Sequence, residues 1–217
     1  MNGFLAARDL IVSLAKTGRF EVSAESQNGE IGLSVDLSQP DNSEYRVGRS
    51  RLWWIFWYFL GSPVVRSRML PISGLKTAVL RVFGARIGRG VYLKPGVRVK
   101  FPWYLTVGDH CWIGEDVWID NLAQVTIGSN VCVSQAAYLC TGNHDWTTTN
   151  MKLFRRPIVL EDGCWVGARA TVCPGVTVGR AAVLAVGSVA AKDIPEGQIW
   201  GGNPAVFVRE REIRTGE

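Results

Sequence analysis

The sequence contains few of the residues that build metal sites and disulfide frameworks. Two of its 217 residues are histidines, and its five cysteines are odd in number and include no C-x-x-C pair. Neither a zinc ribbon nor a disulfide framework is expected, and we interpret the cysteines as reduced thiols of a cytoplasmic protein. Arg8 and Asp9 interrupt the apolar N-terminal stretch, which lacks the order of a signal peptide, so secretion is not expected.

The chain also lacks a strong charge imbalance and a long hydrophobic run. Its net charge is +5 and its Lys and Arg residues are scattered, which gives little support to nucleic-acid binding. The aromatic-rich run 52–60 has nine residues, whereas a membrane-spanning helix needs roughly 20. With 47% hydrophobic and 20% charged residues, the chain is expected to form one main globular domain.

From residue 87 onward, aliphatic residues recur every six positions. Three steps are longer than six: steps of eight residues follow Val99 and Ile119, and a step of twenty-one follows Leu139. Because these insertions come after every third unit, the pattern predicts triangular coils of three short strands each. Five coils result, and they start at Ile87, Val107, Ile127, Leu160 and Val178.

Stacked coils of this kind would place their aliphatic residues in continuous internal columns. The predicted fold is an all-β solenoid, a parallel β-helix over residues 85–195 with an inserted loop at about 141–157. Its corners would use Gly, Asp and Asn, which tolerate positive φ. We expect residues 1–48 to form a partly disordered extension, 49–84 an aromatic-rich helical cap, and 196–217 a C-terminal tail.

Two interpretations of the aromatic run stay open. Its Trp and Tyr residues, with arginines at 49, 51, 66 and 68, suit peripheral contact with the inner membrane. A helical cap over the open first coil would explain the same residues. The cap is favoured, because every solenoid must close the end of its core.

Four segments and the repeat together resemble a known family, over about residues 50–212. They are similar to the hexapeptide-repeat acetyltransferases, and among these to the acetyltransferases of colanic acid biosynthesis. The resemblance implies a left-handed β-helix, acetyl-CoA as donor, a sugar hydroxyl as acceptor, and a homotrimer with sites between subunits. The matching segments are Leu80–Gly88, Phe101–Trp103, Leu139–Asp145 and Gly202–Val206.

His144 is the candidate catalytic residue. It lies at the root of the long inserted loop, and a long excursion from a regular solenoid indicates function. Acetyl transfer to a hydroxyl needs a base that removes the alcohol proton, which a neutral imidazole can do. His110, at a Gly-Asp-His corner, is interpreted as structural.

The resemblance also suggests acceptor and coenzyme residues. Asp120 and Asn121 of the preceding coil would lie near the acceptor, where either could orient the imidazole or bind sugar hydroxyls. For Asp145, substrate binding and a role as a turn former or salt-bridge partner are equally open. The coenzyme positions implied by the family are Trp165, Ala168, Val186, Gly187 and Ser188. Lys192, and Arg209 in the C-terminal tail, which we interpret as cofactor-binding, could meet the phosphates or be ordinary exposed cations.

This chain departs from the family pattern at one coenzyme position. Val186 stands where many relatives have a small Ala, which narrows the space for the pantetheine arm. The group that stabilises the oxyanion is not assigned, and no metal is expected.

Other functions on the same architecture fit less well. A γ-type carbonic anhydrase would need three histidine ligands, and a nucleotidyltransferase would need a nucleotide domain before Ile87. Two alternatives stay open: a non-catalytic β-helix for assembly or binding, and an acetyltransferase for a small free saccharide.

Overall fold

Three sheets, parallel except for the last strand of the second, form the faces of a triangular solenoid in the computed structural model, which describes residues 34–214. The first face contains β1 (Arg86–Ile87), β4 (Leu105–Val107), β7 (Val125–Ile127), β12 (Ile158–Leu160) and β15 (Thr177–Val178). The second contains β2 (Tyr92–Leu93), β5 (Trp112–Ile113), β8 (Cys132–Val133), β13 (Trp165–Val166), β16 (Val183–Leu184), β18 (Gln198–Gly202) and β19 (Ala205–Glu210). The third contains β3 (Arg98–Val99), β6 (Trp118–Asp120), β9 (Tyr138–Cys140), β14 (Thr171–Val172) and β17 (Val189–Ala190).

The aliphatic residues of the six-residue period are the core of this solenoid. On the first face, Val107 pairs with Ile127, and Ile127 with Leu160, so each inward residue stacks on its counterpart one turn away. These side chains are at most 3% exposed. Each buried aliphatic side chain contributes roughly 1.5–3 kcal/mol relative to exposure. The predicted all-β solenoid is therefore confirmed.

The solenoid extends one partial turn beyond the five predicted coils. Ile194 forms a parallel bridge with Val178 on the first face. On the second face, β18 adds in parallel to β16, with Trp200 opposite Leu184. The first part of the predicted tail is thus an incomplete sixth turn, which β19 closes by pairing antiparallel with β18.

The corners adopt the left-handed backbone that the Gly, Asp and Asn steps predict. Asp116 has φ 59° and Asn130 has φ 57°. His110 occupies the same kind of corner with φ 57°, and its ring fills the space in which a Cβ at Gly90 would lie. These contacts give His110 a structural role.

A helical cap closes the first turn. It consists of α1 (Arg51–Phe56), a π-helical turn (Trp57–Gly61), α2 (Ser62–Arg66) and α3 (Ser73–Val82), and a short 3-10 helix (Pro102–Tyr104) follows the first turn. Trp57, Val65 and Leu80 are buried in the same core as the first turn. The outer side of α1 and the π-helical turn stays exposed at Leu52, Phe56 and Phe59. Among residues 34–214, no helix is long and apolar enough to cross a membrane.

Candidate active site

The inserted loop is a β-hairpin that leaves the solenoid at the end of its third turn. Its strands are β10 (Gly142–Asp145) and β11 (Lys152–Arg155), which pair antiparallel with His144 opposite Leu153. Leu153 is 5% exposed and packs with Phe101 and Leu122 in a small second core. The hairpin is therefore anchored by its own buried side chain, while His144 remains exposed.

The His144 imidazole is oriented by a backbone carbonyl. Its Nδ1 lies 2.7 Å from the carbonyl oxygen of Met151. A carbonyl oxygen can only accept, so Nδ1 carries the proton and donates it to this bond. In the neutral ring, Nε2 is then left with the lone pair of a base.

A turn network places the Met151 carbonyl. The Oδ1 atom of Asp145 accepts from the Thr147 amide at 2.9 Å and from its hydroxyl at 2.5 Å. The Thr148 hydroxyl donates to the Asp145 carbonyl at 2.8 Å and accepts from the Lys152 amide at 3.0 Å. Met151 itself has φ 45°, the left-handed region that a methionine rarely adopts. The structure thus shows Asp145 as a turn former.

Asp120 lies in a polar cluster one turn below the hairpin. Its Oδ2 accepts from the Tyr138 hydroxyl at 3.1 Å, and its Oδ1 lies 3.0 Å from Nζ of Lys100. The second contact is an ion pair without hydrogen-bond geometry, so Oδ1 lacks a hydrogen-bond partner among the described residues. Burial, followed by Cys140 and Asp120, raises the pKa of the Tyr138 phenol well above its usual range, so the phenol stays protonated and donates.

Asn121, which was expected to lie near the acceptor, makes internal hydrogen bonds in this structure. Its side chain is completely buried. The amide oxygen accepts from the backbone amides of Lys100 and Phe101 at 3.2 and 3.0 Å, and Nδ2 donates to the Phe101 carbonyl at 2.6 Å. Asn121 therefore joins two adjacent turns at the corner.

Four of the expected coenzyme residues lie near one corner of the solenoid, between its second and third faces. Trp165 points outward from β13 and donates from Nε1 to Ser134 Oγ at 2.8 Å. The Ala168 carbonyl oxygen accepts a hydrogen bond from the Gly187 amide at 2.8 Å. Val186 is 72% exposed. At the neighbouring Gly187, an added Cβ would meet no atom within 4 Å. This open corner offers a surface on which an extended chain could lie.

A groove on the second face lies one turn from Trp165. Its volume is about 240 Å³, and its walls include Tyr92, Trp112, Ser134 and Gln135. Trp112 is 63% exposed and Tyr92 is 57% exposed. The groove therefore presents an apolar, aromatic surface next to the Trp165–Ser134 hydrogen bond.

Ser188, the fifth expected coenzyme residue, forms internal hydrogen bonds in this structure. It is 2% exposed. Its hydroxyl oxygen accepts from the Gly202 amide at 3.0 Å, and its own amide donates to the Ala185 carbonyl. Ser188 therefore anchors the end of β18 to the fifth turn.

The structure does not bring the two expected phosphate-binding cations to the same edge. Lys192 follows β17, on the edge that carries the hairpin two turns earlier, whereas Arg209 lies on β19 at the end of the second face. Both are exposed. Neither forms an ion pair among residues 34–214.

Sequence reasoning missed Met151, Lys100 and Tyr138. The Met151 contribution is a backbone carbonyl, for which the sequence carries no signal. Lys100 and Tyr138 could have been found by writing out the register of the third face. Arg98 pairs with Trp118 and Val99 with Ile119, so continuing this register aligns Lys100 with Asp120. Tyr138 pairs with Trp118, two residues before Asp120, which places it diagonally opposite Asp120.

Comparisons with known proteins agree with this geometry. A family model described as the hexapeptide repeat of succinyl-transferase matches residues 157–189. WcaF of Escherichia coli, whose name describes a colanic acid biosynthesis acetyltransferase, is 39% identical over 83% of this chain and 95% of its own length. The galactoside O-acetyltransferase of Escherichia coli is 27% identical over 62% of this chain and 68% of its own length.

Solved structures show the same architecture. The hexapeptide-repeat-containing acetyltransferase VCA0836 of Vibrio cholerae has a TM-score of 0.67 and 25% identity, over 76% of this chain and 95% of its own. The same protein has also been solved in complex with acetyl coenzyme A, with a TM-score of 0.67, 24% identity and coverage of 75% of this chain and 88% of its own.

Proposed function

Because the chain belongs to the hexapeptide-repeat acetyltransferases, we propose that it transfers acetyl from acetyl-CoA to a sugar hydroxyl of an exopolysaccharide precursor of the colanic acid type. The identity to WcaF, which extends over 95% of that protein, supports this assignment. The observation that carries it is the hydrogen bond from His144 to the Met151 carbonyl, because that bond leaves Nε2 as a base on an exposed hairpin.

In the proposed reaction, Nε2 of His144 takes the proton of the acceptor hydroxyl. The hydroxyl oxygen attacks the thioester carbonyl carbon, the C–S bond breaks, and the imidazolium returns the proton to the departing thiolate. The products are an acetyl ester and free coenzyme A, with no acyl-enzyme. The Met151 carbonyl stabilises the imidazolium through Nδ1 while it carries the proton.

A polysaccharide precursor is favoured over a small free saccharide. The galactoside O-acetyltransferase is less similar to this chain, and the match covers less of its length. Asp120 is the proposed acceptor contact, because its backbone carbonyl accepts from the Thr141 hydroxyl at the root of the hairpin at 2.9 Å. Its Oδ1 is buried beside Nζ of Lys100, so a sugar hydroxyl would reach this carboxylate only with a shift of the Lys100 side chain. Asp145 is proposed to act on the acceptor only through the shape of the turn.

The coenzyme is proposed to lie along the corner formed by Trp165, Ala168, Val186 and Gly187. The open space at Gly187 and the exposed Trp165 indole support this path. Lys192 and Arg209 lie at different edges of the solenoid, and a neighbouring subunit that supplied one of them would let both contact the same coenzyme. We therefore propose a homotrimer whose sites lie between subunits, and sedimentation at several concentrations would test it.

The function is tested by thiol release from acetyl-CoA with a panel of acceptors. The panel contains colanic-acid-type oligosaccharides, galactosides and maltose, and the proteins are native, His144→Ala and His110→Asn. General-base catalysis contributes about 10²–10⁴-fold, so His144→Ala should lose that much activity and still bind coenzyme A. His110→Asn is the matched control, because Asn130 already occupies an equivalent corner with φ 57°.

Each outcome of this experiment decides a specific point. Release that depends on the polysaccharide fragment and disappears in His144→Ala supports the proposal. If the native protein prefers free galactosides or maltose, the acceptor is a small free saccharide and not the proposed polysaccharide precursor. Full activity of His144→Ala would exclude His144 as the base. Absence of acetyl-CoA binding by the native protein would favour a non-catalytic β-helix.

A further inference from the structure

Residues 36–47, which precede the helical cap, lie against the hairpin that carries His144. We infer that this segment, called the N-terminal strap, holds the hairpin in its working orientation and that Glu44 is a positioning residue for His144. The inference rests on the proposed role of His144 as the base. It adds a second element, far away in sequence, to the machinery that orients the imidazole.

The strap occupies the outer edge of β11. The Leu153 amide donates to the Asp41 carbonyl at 2.8 Å, and the Arg155 amide donates to Glu44 Oε2 at 3.2 Å. These amides point away from β10, so without the strap they would be unpaired edge groups. At the tip of the hairpin, the Asp36 amide donates to the Thr149 carbonyl at 2.8 Å.

The strap is itself attached to the first turn of the solenoid. The Tyr45 ring packs edge-on against Phe101, with ring centroids 6.3 Å apart. Trp103 donates from Nε1 to the Val47 carbonyl at 2.6 Å. Phe101 also packs with Leu153, the buried residue of the hairpin. The hairpin is thus held between the third turn, from which it leaves, and a strap fixed to the first.

These contacts lead directly to the imidazole. Leu153, which the strap binds, is the register partner of His144. Thr149, which binds Asp36, lies two residues before Met151, whose carbonyl fixes Nδ1 of His144. A strap that released the hairpin would change the separation of this carbonyl from the imidazole. A misplacement of about 1 Å can cost on the order of 10²-fold in rate.

The test compares Glu44→Ala with Glu44→Gln and Glu196→Ala in the full chain. Glu44→Ala removes the acceptor of the Arg155 amide, whereas Gln keeps an acceptor oxygen at the same place. Glu196 is a matched control, because its side chain is 66% exposed and lies 3.9 Å from Arg180, away from the hairpin. Tyr45→Ala detaches the strap by a second route.

Two measurements are made on each protein. The first is steady-state kinetics with the best acceptor. The second is the nitrogen NMR spectrum of histidine-labelled protein, which reports the tautomer of each ring. With two histidines in the chain, His110 serves as an internal reference.

We expect Glu44→Ala and Tyr45→Ala to lower kcat by about fivefold to twentyfold, with KM for acetyl-CoA within about twofold of native. The Nδ1–H form of His144 should give way to a mixture of tautomers, while the His110 signals stay unchanged. Glu44→Gln should restore both readouts, and Glu196→Ala should match the native protein.

The inference is overturned if His144 keeps the Nδ1–H form and kcat in both strap variants. Failure of the proposed function gives a different pattern. If the native protein transfers no acetyl group, a tautomer change in Glu44→Ala still supports the strap, and an unchanged tautomer still refutes it.

Discussion

His144 and Met151 are joined across the turn of one hairpin by a hydrogen bond of 2.7 Å from Nδ1 to the carbonyl oxygen. The carbonyl comes from a residue with φ 45°, a conformation that costs a non-glycine residue roughly 1–2 kcal/mol. Unfavourable backbone conformations of this kind persist where the surrounding structure fixes them. Here the strain accompanies the orientation of the proposed base.

A glycine at Met151 should therefore separate stability from activity. Met151→Gly adopts positive φ without steric cost, so the free energy of unfolding should change little or increase by up to about 1 kcal/mol. Activity should fall severalfold, because glycine also lets the carbonyl turn away from His144. Ala181→Gly, at a corner with φ 54°, is the control and should leave activity unchanged. Urea unfolding and thiol-release assays measure both quantities, and undiminished activity of Met151→Gly would contradict the role of this carbonyl.

Direct transfer makes Cys140 dispensable. This thiol donates to the Gly142 carbonyl at 2.9 Å at the base of the hairpin. Cys140→Ala should keep activity within about threefold and lose roughly 1 kcal/mol of stability with the hydrogen bond. Mass spectrometry of the native protein incubated with acetyl-CoA alone should show no acetylated protein. An acetylated Cys140, together with an inactive Cys140→Ala, would establish a covalent intermediate instead.

The period of six was sufficient to predict the core, and the reason is physical. Residues such as Ile127 and Leu160 occupy equivalent places in successive turns, so local spacing determines their neighbours. The strap could not be predicted in this way, because Glu44 contacts Arg155 across 111 positions of sequence. No period connects those two residues.

In the candidate site, too, some features could be predicted from the sequence and others could not. The loop after Leu139 and its histidine could be located from sequence, since both interrupt the repeat. The internal contacts of Asn121 could not be predicted, because the chain turns at this corner and buries the amide between two turns. Adjacency in sequence does not show in which direction the side chain of a corner residue points. It also does not show which carbonyl oxygen accepts a hydrogen bond from a histidine.

The close spacing of successive turns predicts that a side chain at Gly167 destabilises the protein. A Cβ there would lie 2.6 Å from the Val186 amide nitrogen and 2.7 Å from the Ala185 carbonyl carbon, both of which are backbone atoms of the next turn. Gly167→Ala should destabilise the protein by about 1–3 kcal/mol, because the turns must move apart. Gly74→Ala in α3 is the control, since its Cβ meets nothing within 4 Å. Urea unfolding should show that Gly74→Ala is as stable as the native protein or more stable. Equal stabilities of Gly74→Ala and Gly167→Ala would contradict close packing at Gly167.

Removing the buried charge of Lys76 is predicted to increase the free energy of unfolding. The residue is completely buried in α3, and Nζ donates to the Ser67 carbonyl at 2.9 Å. None of the ion pairs within residues 34–214 includes it. Burial lowers the pKa of Lys76 below its ordinary 10.5.

The sign of the pH dependence follows from this lowered pKa. The unfolded chain holds the proton more tightly than the folded one, so stability rises with pH between the folded pKa and 10.5. Lys76→Met should be more stable than native at pH 7 by about 1 kcal/mol, and the difference should shrink as the pH approaches 10. Lys94→Met, at an exposed lysine, should change stability by less than about 0.5 kcal/mol. Urea unfolding at pH 7 and pH 9.5 makes the comparison. A destabilised Lys76→Met at both pH values would mean that the bond to Ser67 outweighs the cost of burying the ammonium group.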